Sequence, residues 1–373
     1  MNSPSTIIHR EWHHPMVLPV VVAAALLMAA SAQAVDGNSS PSGSKSSNAS
    51  DLTGLSLTEL YNLDVVQPNV LGGHTHPAGE SMIGYRFMHT HMSGLYDGST
   101  KISPAQAFAK GFSTVHISME MDMHMIEVMH APTERLTLMA MMPFVKMSMV
   151  HMRSNNTQFP QSTSGFGDAE LMALYTVKGD IRSGGSRVVL NMGVSLPTGS
   201  INAKDHAGGD HTQPHILLEY FMQHGSGTFD LRPGVTYLGE SGQWAWGAQT
   251  LGTFRIGRNN HGYSFGDQYR ASTWVSYGVT DWFAPSLRLD GSWWEDVDGV
   301  EPGLAGNTTP EGRADLRGGR RLDFLMGVNF YSSSGKLKGN RLIIEGGVPV
   351  YQHLDGPQLG TSWMLNVSWS YAF

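Results

Sequence analysis

The chain has 373 residues, with 24 Lys and Arg against 31 Asp and Glu, for a formal net charge of −7. An acidic chain lacks the basic face that phosphate neutralisation needs, which argues against nucleic acid as a partner. The absence of cysteine excludes a disulfide scaffold, a thiolate metal site and a cysteine nucleophile, and a charged fraction of 15% with 44 glycines points away from an ordinary soluble domain.

Residues 1–34 read as an export signal. His9, Arg10, His13 and His14 precede an apolar run from Val17 to Ala30, and Ala32-Gln33-Ala34 supplies a small-x-small cleavage pattern. The run is shorter than the roughly 20 residues a spanning helix needs. Residues 35–52, crowded with Ser, Gly and Asn, read as a flexible linker. Residues 53–79 then form an N-terminal periplasmic segment, with a short helix at Leu55–Leu60.

From residue 80 the pattern is period two. Ile83, Tyr85 and Phe87 alternate with Gly84, Arg86 and Met88, and Leu171, Ala173, Tyr175 and Val177 alternate with Glu170 and Met172. Strands are expected at 113–130, 134–152, 168–177, 188–196, 229–238, 244–256, 268–280, 283–294, 321–331, 341–351 and 362–373. With the one at 83–88 they number about twelve. A candidate at 214–222 is set aside as a loop, or as a short strand outside the membrane, because single-chain bacterial barrels use an even number. Ala131–Glu134 and Thr280–Trp282 read as short periplasmic turns. The segments 93–111, 153–165, 197–213, 257–266, 295–320 and 352–361 read as external loops. At the carboxyl end Trp363, Leu365, Val367, Trp369, Tyr371 and Phe373 occupy alternate positions. Trp369, Tyr371 and Phe373 resemble the signal by which outer-membrane barrels are assembled. The fold class is therefore all-β: a closed antiparallel transmembrane β-barrel over 80–373, exported to the bacterial outer membrane. Closure is required because an open edge in lipid strands unpaired backbone groups. Its partners are outer-membrane lipid, the barrel assembly machinery and a transported solute.

Gly165-Phe166-Gly167-Asp168 opens one strand and Leu196-Pro197-Thr198-Gly199-Ser200 closes the next. With Leu71-Gly72-Gly73-His74-Thr75-His76-Pro77 and Asn259-Asn260-His261-Gly262-Tyr263, this resembles a Met-rich and His-rich branch of the outer-membrane transporters named for the meta-pathway of phenol degradation. The resemblance runs from about residue 71 to the end and implies a channel-like barrel.

The chemistry that stands out is thioether and imidazole. Of 22 methionines, 14 lie between Met82 and Met152, a stretch that also carries His89, His91, His116, His124, His130 and His151. In Met119-Glu120-Met121-Asp122-Met123-His124-Met125 one strand face is thioether and the other is carboxylate and imidazole. Ile126 and Val128 continue the carboxylate phase as lipid-facing residues, which turns the methionines inward. Glu120, Asp122 and His124 then lie beyond the membrane or outline a bulge. Soft thioethers suit Cu(I) and Ag(I), and imidazole widens the match to Cu(II). The candidate metal ligands are Met88, Met121, Met123, Met125, Met139 and Met141 with His89, His91 and His124. His74 with His76, and His206 with His211 and His215, are candidate ligands at the mouths. Methionine also serves as an adaptable apolar filler. Arg86, Arg135, Asp168 and Glu170 are expected to line the lumen.

Two other functions compete. Trp244, Trp246, Trp274, Trp293 and Trp294 would suit uptake of small apolar or aromatic compounds. His224-Gly225-Ser226 has the His-x-Ser spacing of outer-membrane lipid hydrolases, in surroundings that do not match those enzymes. With no G-x-S-x-G or H-E-x-x-H pattern, the chain reads as a channel without catalytic activity.

Overall fold

The computed structural model describes residues 68–179, 185–304 and 309–373. The expected signal segment, the linker and the helix near residue 55 lie outside the described residues. Eleven long strands form one antiparallel circuit: β1 Ser81–Gly98, β2 Thr114–Thr133, β3 Leu136–Arg153, β4 Ala169–Lys178, β5 Ser186–Leu196, β6 Phe229–Ser241, β7 Trp244–Ile256, β8 Gln268–Tyr277, β9 Phe283–Trp294, β10 Gly319–Tyr331 and β11 Asn340–Ala372. β11 has 33 residues and doubles back. Its residues 341–354 pair with β10 and its residues 354–372 pair with β1, which closes the sheet. Ala372 N donates to Gly339 O at 3.0 Å, so both ends of β11 sit on one rim. Eleven strands, the last counted twice, give twelve crossings, in line with the even number of bacterial barrels.

Alternation decides the faces. Ile83, Tyr85, Ile126, Val128, Leu138, Met142, Phe144, Leu171 and Tyr175 are exposed on the outer surface, as lipid-facing residues should be. Trp369, Tyr371 and Phe373 continue that face, and Phe373 exchanges backbone hydrogen bonds with Ser81 (2.8 and 2.9 Å).

Short turns such as Glu134–Arg135 mark the periplasmic rim, and the long connections gather at the opposite one. β1, β2 and β3, at 18, 20 and 18 residues, exceed the 9–11 needed to cross a bilayer and project beyond it. This projection explains three departures from the sequence reading, the first being that Ser93–Gly98 of the expected loop 93–111 continues β1 and Thr100–Ile102 pairs back onto it. Within 153–165, Gln158–Phe166 is a strand paired with the upper part of β3, and 352–361 is continuous with β11. The demoted candidate at 214–222 contributes His215–Leu217, paired with Lys204–His206 in a small sheet outside the barrel, and a 3-10 turn at Tyr220–Met222. The external connections fold inward as a lid with its own core of Tyr220, Tyr263, Val297 and Leu304.

Candidate functional site

The inward face of β1–β4 is built from methionine. Met82, Met88 and Met92 on β1 stand directly opposite Met129, Met123 and Met119 on β2. Met119, Met121 and Met129 stand opposite Met149, Met147 and Met139 on β3, and Met139 opposite Met172 on β4. Directly opposed side chains in an antiparallel pair lie about 4.5–5.5 Å apart at Cβ, so thioethers meet in two groups, separated where Met125 faces Arg86 and Pro143 and where Glu127 faces Gly84 and Met141. Met119, Met139, Met141, Met147 and Met149 are buried, whereas Met121 and Met123 keep partial access to the lumen. The pairing from Ser118 to His130 is unbroken on both sides of β2.

With no bulge there, the pleat separates the candidate ligands. Met88, Met121, Met123, Met125, Met139 and Met141 share the lumen. His89, His91 and His124 lie on the outer surface, and no single ion reaches both sets. His89 Nδ1 contacts Asp122 Oδ1 at 2.7 Å, His91 Nδ1 contacts Glu120 Oε1 at 2.6 Å, and His124 Nδ1 meets the Tyr85 hydroxyl at 2.7 Å. These groups sit where the apolar outer band gives way to polar residues, above Phe87 and Phe144.

The lumen-lining residues also divide. Arg86 faces inward and reaches Glu127 at 3.5 Å. Glu170 pairs with Arg232. Asp168 accepts from Gly199 N at 2.8 Å and from the Ser226 amide and hydroxyl at 2.7 and 2.8 Å. Arg135 does not line the lumen: it is exposed in the β2–β3 turn, where its amide donates to Thr133 Oγ1 at 3.3 Å. The inward phase of β3 begins only at Thr137, after the turn has ended.

Across the lumen the wall is ionic. Arg288 on β9 donates to both carboxylate oxygens of Glu345 on β11 (2.9 and 2.6 Å) and to Asp290 (2.6 Å), all fully buried. Arg321 donates to Asp323 at 2.9 Å. Beside the methionine wall and against the lid, a cavity of about 410 Å³ is lined by Met123, Met125, Asp168, Glu170, Arg232 and Arg255 together with Phe221, Phe265 and Trp294. Below it, the segment preceding β1 enters the lumen. Val70 packs against the methionines, Asn191 donates to Gly72 O at 3.1 Å, and Gln249 donates to Leu71 O at 2.9 Å. Gly72 has φ +59°, and a Cβ there would come within 2.9 Å of the Asn191 side-chain nitrogen, so glycine is required for this entry.

The competing sites do not assemble. Ser226 donates to Asp168, whereas His224 Nε2 contacts Thr163 Oγ1 at 2.7 Å, so they form no nucleophile–base pair. The tryptophans scatter: Trp244 is exposed outside, Trp274 is buried inside, Trp293 stacks on Tyr269 at 4.8 Å, and Trp294 alone enters the cavity. At the external mouth His206, His211 and His215 do cluster, with ring centroids 4.7 and 4.2 Å from His206.

The sequence reading missed the ionic wall. Arg288 with Asp290, and Arg321 with Asp323, are charges two residues apart on the inward phase, a readable signal. It also missed Glu219 and Glu311, which loops carry into the barrel and no period marks.

The closed antiparallel circuit, its apolar outer band and its polar interior define an outer-membrane β-barrel of the channel type. Residues 105–324 match the family model described as "Putative MetA-pathway of phenol degradation". That is more than half of the chain, and the chain belongs to this family. The structure is similar to the COG4313 outer membrane channel from Pseudomonas putida F1, with TM-score 0.55, 15% identity, and coverage of 83% of this chain and 100% of that one. Looser likenesses are the transport unit of the autotransporter AIDA-I from Escherichia coli (TM-score 0.43, 11% identity, 79% and 90% covered) and the KdgM porin (TM-score 0.37, 10% identity, 78% and 99% covered). No curated protein sequence matches the chain. The protein is a bacterial outer-membrane barrel.

Proposed function

We propose that this channel handles soft monovalent metal ions, Cu(I) or Ag(I), along its thioether wall. The observation that supports the reading is two groups of directly opposed methionines, Met92–Met119–Met149 with Met121–Met147 and Met88–Met123 beneath the lid and Met82–Met129–Met139 at the periplasmic rim, with Met125 and the Arg86–Glu127 pair between them. Thioether sulfur is a soft, neutral ligand matched to these ions. Closely spaced weak sites let an ion pass from one pair to the next, and passive conduction needs sites that bind and also release. The exposed cluster of His206, His211 and His215 offers imidazole capture at the external mouth.

The test is Ag(I) titration of the refolded protein beside a variant with Met121, Met123, Met139 and Met141 replaced by Leu. These swaps nearly preserve volume and apolarity, so the barrel should survive them. Saturable binding lost in the variant, with slower Ag(I) entry into proteoliposomes, is the expected result. Equal or absent binding in both reduces the methionines to packing.

A second reading has its own observation. The cavity of about 410 Å³ sets Phe221, Phe265 and Trp294 beside Arg232 and Arg255, which pair with Glu170 and Asp230 of the same lining, a setting suited to a small aromatic compound. Liposome swelling with small aromatic compounds, unaffected by the Met→Leu variant, would favour it.

A further inference from the structure

We propose that His116, His151 and Glu219 bind a divalent ion of borderline softness, of the zinc class, which clasps the external lid onto the methionine wall. The three side chains come from different places: His116 from the start of β2, His151 from the end of β3, and Glu219 from the long connection between β5 and β6. One ligand atom from each lies within 4.8 Å of the others, and all three residues are buried. The shortest approaches to Glu219 are 3.9 Å from His116 Nε2 and 4.0 Å from His151 Nε2. Tetrahedral zinc with bonds of about 2.1 Å sets its ligand atoms about 3.4 Å apart, so these two approaches must close by about half an ångström and the widest separation by no more than about 1.4 Å.

Three further observations favour a ligand here. Nε2 of His116, Nε2 of His151 and Oε2 of Glu219 are buried without a hydrogen-bond partner among the described residues. Unmatched buried polar atoms are costly, and converging ones point to a missing partner. Glu311, from the connection between β9 and β10, contacts His116 Nδ1 from behind. This is the carboxylate–imidazole arrangement that holds a metal-binding ring in place and fixes its tautomer. The His151 ring is held by stacking on Phe159, with centroids 4.9 Å apart and planes at 3°.

The donor set selects the ion. Two imidazoles and a carboxylate suit Zn(II) and neighbouring divalent metals, whereas the paired thioethers below suit monovalent soft ions. Three protein ligands leave a fourth position open for water. Arg317 interacts electrostatically with Glu219 and Glu311 and balances their charge. Bound metal would tie β2, β3 and the β5–β6 connection directly, and the β9–β10 connection through Glu311. It would thus hold two lid segments down over the lumen.

The experiment uses the refolded full-length protein with Co(II) as spectroscopic probe and Zn(II) as competitor. One Co(II) per chain is expected, with d–d absorption of low-symmetry coordination, displaced by Zn(II) and weakened at least tenfold in Glu219→Gln and in His151→Gln. Zinc should slow proteolysis within 197–228 and 295–318 in the wild type and leave Glu219→Gln unprotected. The four-fold Met→Leu variant should bind Zn(II) normally, so failure of the thioether reading and failure of this one are separable. If the site variants do not fold, zinc-edge X-ray absorption decides on a protein whose His206, His211 and His215 are replaced by Gln: one zinc per chain with a shell of N and O alone supports the site. A sulfur shell, absent stoichiometric binding, or folded site variants that bind as the wild type does would each overturn it.

Discussion

The two halves of the lumen hold together by opposite physics. Along β1–β3 most inward side chains are thioethers, broken by the Arg86–Glu127 pair; they are packed by dispersion and by burial of apolar area, and each can shift rotamer to fill a neighbour's gap. Along β9–β11 they include Arg288, Asp290, Glu345, Arg321 and Asp323, whose geometry is fixed by charge-assisted hydrogen bonds, bidentate between Arg288 and Glu345. The first wall tolerates change and offers soft ligands. The second tolerates little, because a buried charge that loses its partner stays buried.

The sharpest way to break this contrast is Glu345→Gln, which removes the carboxylate that Arg288 grips with two hydrogen bonds and leaves it only Asp290. Removal of one partner of a buried pair costs about 3–5 kcal/mol, read as a lower denaturant midpoint for the folded barrel. The double replacement Arg288→Met with Glu345→Leu should recover most of that loss, since an apolar pair of similar volume avoids the desolvation cost. If the double variant is as unstable as the single one, the ionic wall contributes more than charge compensation.

On the methionine side, Met141→Ala should cost about 2–5 kcal/mol as a core truncation, at the lower end because flexible neighbours relax into the space. Met141→Leu should cost less than about 1.5 kcal/mol. A Leu variant as damaging as Ala would mean that the wall is specifically shaped and not adaptable.

Gly72→Ala probes the segment between the walls. Its positive φ makes the alanine backbone about 1–2 kcal/mol less favourable, and contact with Asn191 adds to this. The expected readout is higher single-channel conductance as residues 70–76 loosen from the lumen. Unchanged conductance would mean that this segment does not limit flow.

The smallest effect is at the lid. Burial lowers the pKa of His224, so the folded state resists its protonation. Its contribution is intact above the ordinary imidazole value of about 6.5 and is lost as pH falls through it. Between pH 7.5 and 5.5, roughly one unit either side of that value, the wild type should lose slightly more lid protection in hydrogen exchange than His224→Gln. Identical losses would assign the pH response to other groups.

Much of this was legible in sequence because a barrel strand writes its two environments on alternate residues. The lipid face at Ile126 and Val128 fixed the phase of β2, and with it the inward methionines. The same alternation assigned Glu120, Asp122 and His124 to the outside, yet His89, His91 and His124 still entered one ligand set with Met88 and Met121. Residue type had been grouped across a pleat that divides it. Arg135 was misplaced because alternation was carried into a turn, where it does not hold. Glu219 and Glu311 were illegible for a different reason: the fold of an irregular connection, not a periodic pattern, brings them beside His116 and His151.

The unbroken pairing of β2 also makes its length unforgiving. Inserting or deleting one residue within Met119–Met125 would exchange the two faces of everything beyond that point. Carboxylates would then meet packed sulfur and thioethers would meet water and headgroups. Substitutions can drift along this strand one side chain at a time, but a single-codon insertion or deletion must rewrite its whole alternation at once. Natural variation in β2 should therefore consist of exchanges within each face, with changes in length confined to the connections at either end.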